Sequence, residues 1–173
     1  ILDKYKEGTL YNIHMKKNGL LYGGQENVAL TWMDAVVDGV PVTPRAGYTV
    51  ELNALWYNAI CFSLEMAKEA GDKQFVENWK LVPLSLKTAF KDMFWDEKKG
   101  YLADFCDDKS KDWSFRPNQI FATSLKYSVC DQEMSKSVLE NTKRKLLTNR
   151  GLKTLSEDDE KFIGSYIGDQ NTR

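Results

Sequence analysis

The strongest hydrophobic pattern in the chain lies in residues 50–70, which predict a helix that Gly71 ends as a C-terminal cap. From 50 to 62 the segment is apolar nearly all round, and a helix that is apolar on every face is typical of a buried position. Glu51, Asn53 and Asn58 are the polar exceptions. Buried polar groups need partners or a purpose, so these three are the first candidates for function.

Residues 73–95 carry their apolar side chains near one face, which predicts an outer amphipathic helix, kinked or split near Pro83. The pair then repeats. Residues 117–128 begin with Pro117, carry few charges and predict a second inner helix. Residues 132–148 are polar and amphipathic, with a run of cations near the C-terminal end, where they favour the helix dipole.

Shorter elements connect these helices. Residues 9–22 predict a hairpin about Asn18-Gly19, and residues 97–100 predict a turn or small hairpin. Residues 149–173 read mostly as loop, with a short strand possible at 152–155. Residues 23–49 have no period and contain several Gly and Pro residues, so they predict a long loop, and such loops in compact domains are usually functional.

Two apolar helices that alternate with two amphipathic ones predict an all-α fold with an inner layer backed by an outer one. The same pattern also fits a helical solenoid or an irregular bundle. The 173 residues form one domain, and both ends look cut, so we expect residues 1–173 to be a single partial domain. Its inner helices would then leave apolar surface uncovered. This predicts that the remaining half of the fold or a partner in the crystal or oligomer covers it, or that the chain is poorly stable alone.

Charge and composition narrow the possible partners. The 24 Lys+Arg and 25 Asp+Glu nearly cancel, which leaves no electrostatic footprint for nucleic acid or an anionic membrane. No apolar run is long enough to span a bilayer. Uncharged glycans are thus favoured by elimination. The three cysteines lack metal-like spacing and predict reduced thiols in a cytoplasmic protein: Cys61, Cys106 and Cys130.

No cofactor or metal is predicted. The single histidine, His14, argues against a histidine-based triad or metal site. Gly23-Gly24 fits a turn and matches no nucleotide-binding fingerprint.

Residues 31–58 concentrate aromatic rings, carboxylates, amides and an arginine. Aromatic faces cover the C–H faces of a pyranose, and polar groups bind its hydroxyls. A carboxyl beside a tryptophan, as Asp34 stands beside Trp32, is well placed to have a raised pKa and to donate a proton. From the residues alone, however, a loop aspartate more often caps a turn.

Several motifs resemble the C-terminal glucosidase domain of glycogen debranching enzymes, the amylo-α-1,6-glucosidase family. They are TWMDA (31–35), DGVPVTPRAG (38–47), VELNALWYNA (50–59), FRPNQIFATSL (115–125), GLKTLS (151–156) and GSYIGDQNTR (164–173). The resemblance implies a partial, six-hairpin glycosidase-like (α/α)6 toroid with small β-hairpins, of which this chain supplies roughly the first four helices.

The resemblance also implies a reaction, the inverting hydrolysis of α-1,6-glucosidic branch points in glycogen or related α-glucans, with Asp34 as the general acid. An inverting enzyme places its base about 6.5–9.5 Å from the acid, so that a water fits between them. The resemblance implies a base beyond Arg173. We therefore expect the isolated chain to be inactive, and measurable turnover by it would contradict this expectation.

The predicted substrate-binding residues are Trp32, Arg45, Glu51, Asn53, Trp56, Arg116, Asn118, Gln119 and Asp169. Each has a structural alternative. Arg45 fits an ordinary ion pair, and Glu51 fits favourable charge in a first helical turn as well as it fits binding sugar or orienting Arg45. Core packing accounts for Trp56 at least as well as sugar binding does, and helix capping is the alternative role of Asn118.

The loop that holds Gly164, Tyr166, Gly168, Asp169 and Gln170 is expected to approach the same pocket.

Two further functions stay open. One is a non-catalytic helical module that binds glycan or protein. The other is lyase or epimerase chemistry on the same toroid, which the lone His14 weakly opposes.

Overall fold

The structure is a computed structural model that describes residues 1–165 and 167–169. Its α-helices are α1 (Leu2–Glu7), α2 (Val50–Glu69), α3 (Lys73–Trp79), α4 (Val82–Phe94), α5 (Phe121–Ser124) and α6 (Gln132–Lys145). Two short 3-10 helices cover Leu10–Asn12 and Pro117–Ile120.

The strands are all two residues long and run antiparallel. They are β1 (His14–Met15), β2 (Leu21–Tyr22), β3 (Val36–Val37), β4 (Val40–Pro41), β5 (Tyr48–Thr49), β6 (Trp95–Asp96), β7 (Tyr101–Leu102), β8 (Phe105–Cys106) and β9 (Lys111–Asp112). They pair as β1-β2, β3-β4 and β6-β7, and as a three-stranded sheet in the order β5-β8-β9.

Helix α2 confirms the helix predicted over 50–70. Gly71 follows it with a φ of 71°, the left-handed conformation that ends helices and favours glycine. The prediction that α2 is buried on every face is wrong. One face packs against α3, α4 and α5, while the other leaves a stripe of large apolar side chains exposed: Leu52, Leu55, Phe62 and Met66.

The segment 73–95 confirms the predicted break near Pro83. Helix α3 ends at Trp79, and α4 begins at Val82 with Pro83 in its first turn, where the missing N–H costs nothing. Both helices are amphipathic as predicted: Trp79, Leu86, Phe90 and Phe94 are fully buried.

The prediction of a second inner helix over 117–128 is wrong. Only the 3-10 turn and the short α5 form there, and Leu125 is already extended. The Thr123 and Ser124 hydroxyls both donate to the carbonyl of Ile120, and the Ser128 hydroxyl donates to that of Ala122. Side chains that take backbone carbonyls in this way compete with helix propagation. The next predicted helix, 132–148, is confirmed as α6, capped by Asp131 on the Met134 N–H.

The predicted hairpins are present, with shorter strands. Strands β1 and β2 pair around the Asn18-Gly19 turn, and β6 and β7 pair around residues 97–100. Gly19 has a φ of 91°, and a Cβ there would lie 2.9 Å from that of Leu86, so glycine is needed. The predicted loop 23–49 contains the β3–β4 hairpin and β5. Of the strand suggested at 152–155, only an isolated Leu147–Leu152 bridge forms in the described residues.

The all-α prediction, a partial (α/α)6 toroid, is therefore wrong. The structure is mixed α/β, 42% helical and 13% strand, with several small sheets. The prediction failed for two physical reasons. The second apolar segment does not extend into a helix, which removes the inner layer, and two-residue strands are too short to show any period in the sequence.

The sheet β5-β8-β9 sits at the N-terminal end of α2. Strand β5 runs directly into the helix, and the Val50 N–H donates to the carbonyl of Asp104, which precedes β8. The 3-10 helix that contains Asn118 packs against α2 as well. This junction brings together the side chains of the candidate site.

Candidate functional site

A buried ion pair stands at the start of α2. Arg45 donates from Nη1 to Oε1 of Glu51 at 2.5 Å and from Nη2 to Oε2 at 2.8 Å. Arg45 lies before β5 and Glu51 in the first turn of α2, so the strand-to-helix corner places them face to face. The two residues are only 7% and 2% exposed. This paired fork is the geometry in which Arg binds carboxylates most strongly.

Asp104 joins the fork from the other side. Its backbone carbonyl accepts from Arg45 Nη2 at 3.0 Å, and its Oδ2 lies 3.2 Å from the same nitrogen. Arg116 Nε lies 3.8 Å from that Oδ2. Oδ1 accepts from Asn118 Nδ2 at 2.7 Å. Two arginines thus stand against two carboxylates, in formal charge balance.

Burial decides the ionisation of these groups. It raises the pKa of Asp104 to about 6, although Arg45 and the Asn118 hydrogen bond oppose the rise. For Arg45, burial disfavours the charge, but the hydrogen bonds to Glu51 and the charge of Asp104 outweigh it, and its pKa is raised. The guanidinium therefore stays charged, while Asp104 titrates near neutral pH.

The sequence analysis missed Asp104. It follows Tyr101-Leu102-Ala103 in a hairpin without a recognisable motif, and its partners are 59 and 14 residues away. Its one sequence signal was an acidic residue directly after an apolar strand, which is too common to single it out.

The cluster holds the loop that contains Trp32. The Trp32 Nε1–H donates to Oδ1 of Asn118 at 3.0 Å, and Asn118 Nδ2 lies 3.4 Å from the Met33 sulfur. Arg45 Nη1 donates to the Thr31 hydroxyl at 3.3 Å, and that hydroxyl accepts from the Met33 N–H. Three consecutive residues are therefore attached to buried side chains.

The next residue, Asp34, is exposed. No side chain or backbone group in the described part of the chain forms a hydrogen bond or ion pair with its carboxylate. The Trp32 ring is 55% exposed even though its N–H is anchored to a buried amide. The loop thus presents an anchored aromatic side chain and an unpaired carboxylate to solvent, two residues apart in the chain.

Three other predicted site residues have structural contacts instead. The Asn53 amide accepts from the Leu21 N–H and donates to the carbonyls of Leu21 and Thr49. Trp56 is buried and donates to the Gly19 carbonyl. Gln119 accepts from the Leu102 N–H and donates to the Arg116 carbonyl. These side chains tie α2 and the 3-10 helix to neighbouring hairpins.

Arg116, half-buried, lines a cleft of about 370 Å³ together with Asp112, Pro44 and Phe162. Asp169 is exposed near the C-terminal end of the described residues. Of the predicted C-terminal loop, Tyr166 and Gln170 fall outside the described residues.

Two further cavities are present, and one of them borders the cluster. One of about 200 Å³ is shared between Thr31, Arg45 and the rings of Tyr5 and Tyr22. The larger one, about 760 Å³, runs along α4 and contains none of the predicted site residues. Trp32 and Asp34 line neither of these two cavities.

No group of three or more His, Cys, Asp or Glu side chains in residues 1–165 and 167–169 is arranged to hold a metal ion. Among the helices described above, none has the length and apolar character required to cross a bilayer.

Two comparisons with known proteins bear on this arrangement. A solved structure, the GH78 family rhamnosidase of Bacillus sp. GL1, matches with a TM-score of 0.59 at 21% identity over 82% of this chain. The match covers 13% of the rhamnosidase, and at this identity it shows the fold alone. The family model described as amylo-alpha-1,6-glucosidase matches residues 1–173, the entire sequence. The chain therefore belongs to the amylo-α-1,6-glucosidase family.

Proposed function

We propose that this chain contributes the proton donor and a sugar-binding surface to a glycoside hydrolase that cleaves α-1,6-glucosidic branch points of glycogen or related α-glucans with inversion. Asp34 is the general acid in this proposal, and Trp32 is the aromatic platform beside it. Family membership supports glycoside hydrolysis, and the identity of the bond and of the residues is our inference.

One observation carries the proposal: the exposed Trp32 ring is anchored. A large aromatic side chain that is 55% exposed loses favourable burial, yet its indole N–H is held at 3.0 Å by an amide that is 1% exposed. An exposed ring that is kept rigid suits stacking on a pyranose, because little conformational freedom is lost on binding.

In the proposed reaction, Asp34 protonates the glycosidic oxygen as the bond to the anomeric carbon breaks. A water attacks that carbon from the opposite face, and a second carboxylate takes its proton. Glu51 does not suit the role of base, because both of its oxygens are engaged by Arg45. Asp104 is only 3% exposed and so does not reach a bound sugar.

Glycan binding tests the platform directly. Calorimetric titration of a maltooligosaccharide should give a measurable affinity that falls about tenfold in Trp32→Ala, since a stacked ring contributes on the order of 1 kcal/mol beyond its buried area. Trp113→Ala is the matched control, because Trp113 packs on Tyr101, away from the Trp32 loop. No glycan affinity in the wild-type chain would overturn the proposal and favour the alternative of a protein-binding module.

Activity of the full-length protein tests the acid. With a dextrin that carries single α-1,6-linked glucose branches, Asp34→Asn should lower kcat by about 10²–10⁴-fold, the range that general acid catalysis supplies. Asp38→Asn is the control: Asp38 is also exposed, and it lies in the adjacent turn with a φ of 49° that Asn tolerates well. NMR of the first product should show β-glucose. Full activity of Asp34→Asn, or α-glucose as first product, would contradict the assignment.

A further inference from the structure

We propose that Asp104 is a positioning residue for this site: through Arg45 and Asn118 it holds the loop of Thr31, Trp32 and Met33 and thereby fixes where Asp34 and the Trp32 ring stand. The inference rests on the proposed function for its consequence in glycan binding. The positioning itself is a property of the chain that can be measured without any sugar.

The contacts that attach residues 31–33 to the cluster converge on Asp104. Every side-chain contact described above that attaches residues 31–33 to the cluster is made by Arg45 or by Asn118. Both of these side chains are in turn held by Asp104, at 3.2 Å from Arg45 Nη2 and at 2.7 Å from Asn118 Nδ2. Asp104 is therefore the shared partner behind both attachments of the loop.

The direction of the hydrogen bonds also depends on Asp104. An ionised carboxylate only accepts, and an indole N–H only donates. Asn118 lies between them, so it turns its NH₂ toward Asp104 and its oxygen toward Trp32. The charge on Asp104 thus sets the orientation of the Asn118 amide. A neutral residue that can both donate and accept would permit the reversed amide, in which no acceptor faces the Trp32 N–H.

A contribution to stability alone explains the burial of the Asp104 carboxylate poorly. The residue is 3% exposed, and its Oδ2, although it pairs with the charge of Arg45 at 3.2 Å, accepts no hydrogen bond from the residues that the structure describes. Burying a carboxylate with one oxygen unbonded is unfavourable, and apolar residues often replace buried ion pairs with no loss of stability. The charge is better explained by what it orients than by what it stabilises.

The groups that face Asp104 define how its titration is read. Arg45 comes from the segment before β5, Glu51 from α2, and Arg116 and Asn118 from the segment around the 3-10 helix. The two arginines keep their charge at every pH of interest. When Asp104 gains a proton it becomes a possible donor, and the preference for one Asn118 orientation weakens.

The Trp32 Nε1–H resonance is observed by ¹H–¹⁵N NMR of the chain. The resonance is assigned to Trp32 because it disappears in Trp32→Phe. In Asp104→Asn the Trp32 resonance should shift and exchange faster with solvent. The maltooligosaccharide affinity should fall roughly fivefold, the factor that one net hydrogen bond corresponds to. Asp107→Asn is the control. It makes the same chemical change three residues along the chain, in the β8–β9 turn, where the Asp107 carboxylate accepts from Lys109 and Ser110.

A second measurement uses the wild-type chain, so it does not depend on folding of the variant. Between pH 5 and pH 7.5 the Trp32 indole resonance should titrate with a midpoint near 6, and the indole of Trp56, bonded to the Gly19 carbonyl, should stay constant. A merely structural role for Asp104 would not produce this titration.

The outcomes separate the inference from the proposed function. An unchanged Trp32 resonance in folded Asp104→Asn, or in the wild type across the pH range in which the ¹³C resonance of the Asp104 carboxyl titrates, overturns the inference whatever the glycan data show. If the resonance responds to Asp104 while Trp32→Ala leaves glycan binding intact, the positioning stands and the proposed sugar platform fails.

Discussion

The buried cluster and the exposed loop treat their carboxylates in opposite ways. Glu51 and Asp104 are almost fully buried and stand against Arg45, whereas Asp34 is exposed and meets no partner in the described part of the chain. Paired buried charges hold structure, and unpaired exposed ones are available for chemistry. The sequence prediction placed Asp34 and Glu51 in a single sugar site, but the structure separates a supporting layer, to which Asp104 also belongs, from the surface that it supports.

Replacement of Arg45 should break the supporting layer most severely. In Arg45→Met, Glu51 and Asp104 stay buried without their counter-charge, so we expect the free energy of unfolding to fall by about 3–5 kcal/mol. Urea unfolding followed by circular dichroism measures the loss. Lys80→Met, which removes the exposed pair with Glu77, should change stability little. A small effect at position 45 would mean that the cluster is dispensable.

Asn53 extends the comparison to a predicted binding residue that structure assigns to the scaffold. In Asn53→Ala, the N–H and carbonyl of Leu21 lose the buried amide that pairs with both. We expect a loss of about 2–3 kcal/mol in the free energy of unfolding, since unsatisfied buried polar groups are unfavourable. Asn78→Ala on the exposed face of α3 is the control. If glycan affinity fell while stability held, Asn53 would return to the binding site.

The contrast also shows what local sequence can predict. Helix α2, the α3–α4 break and helix α6 depend on contacts within a few residues, and all were predicted. The early end of α5 depends on hydroxyls that outcompete the backbone, which apolar content does not show. Strand β5 is fixed by a neighbour distant in the chain, because Tyr48 pairs with Cys106 in β8.

Within the site, the same limit applies. The motif around Trp32 and Asp34 was noticed because its residues are contiguous. Arg45, Glu51 and Asn118 were singled out because each lies in a short motif that resembles the glucosidase family. Asp104 was not, because its contacts span up to 59 residues and nothing beside it in the chain reports them. Long-range pairing, rather than residue type, decides which of the polar residues support the site.

The pH dependence of stability sharpens the difference between the two sets of carboxylates. The pKa of Asp104 rises from its ordinary 3.8 to about 6 in the folded chain, because burial disfavours its charge. Between those values the folded state binds more protons than the unfolded state. Its contribution to stability is therefore present below about pH 4 and falls as the pH rises through 6.

Chemical unfolding at pH 4.5 and pH 7.5 measures this contribution as the difference between wild type and Asp104→Asn. On going from the lower to the higher pH, we expect the free energy of unfolding of the wild type to fall by about 1–3 kcal/mol relative to that of the variant. If the wild type instead became more stable relative to the variant at the higher pH, the attraction of Arg45 and Arg116 would outweigh burial. Asp104 would then stay ionised at both pH values.

The smallest expected effect belongs to Asp34 and completes the comparison. Because its exposed carboxylate makes no contact with the described residues, Asp34→Asn should change the free energy of unfolding by less than about 0.5 kcal/mol, as is usual for surface substitutions. Urea unfolding beside Arg45→Met measures both on one scale. A loss of 2 kcal/mol or more would reveal a structural contact for Asp34, and the carboxylate would then belong with Glu51 and Asp104. Stability that stays unchanged alongside a collapse of kcat would instead mark Asp34 as a residue held in place by others and free to react.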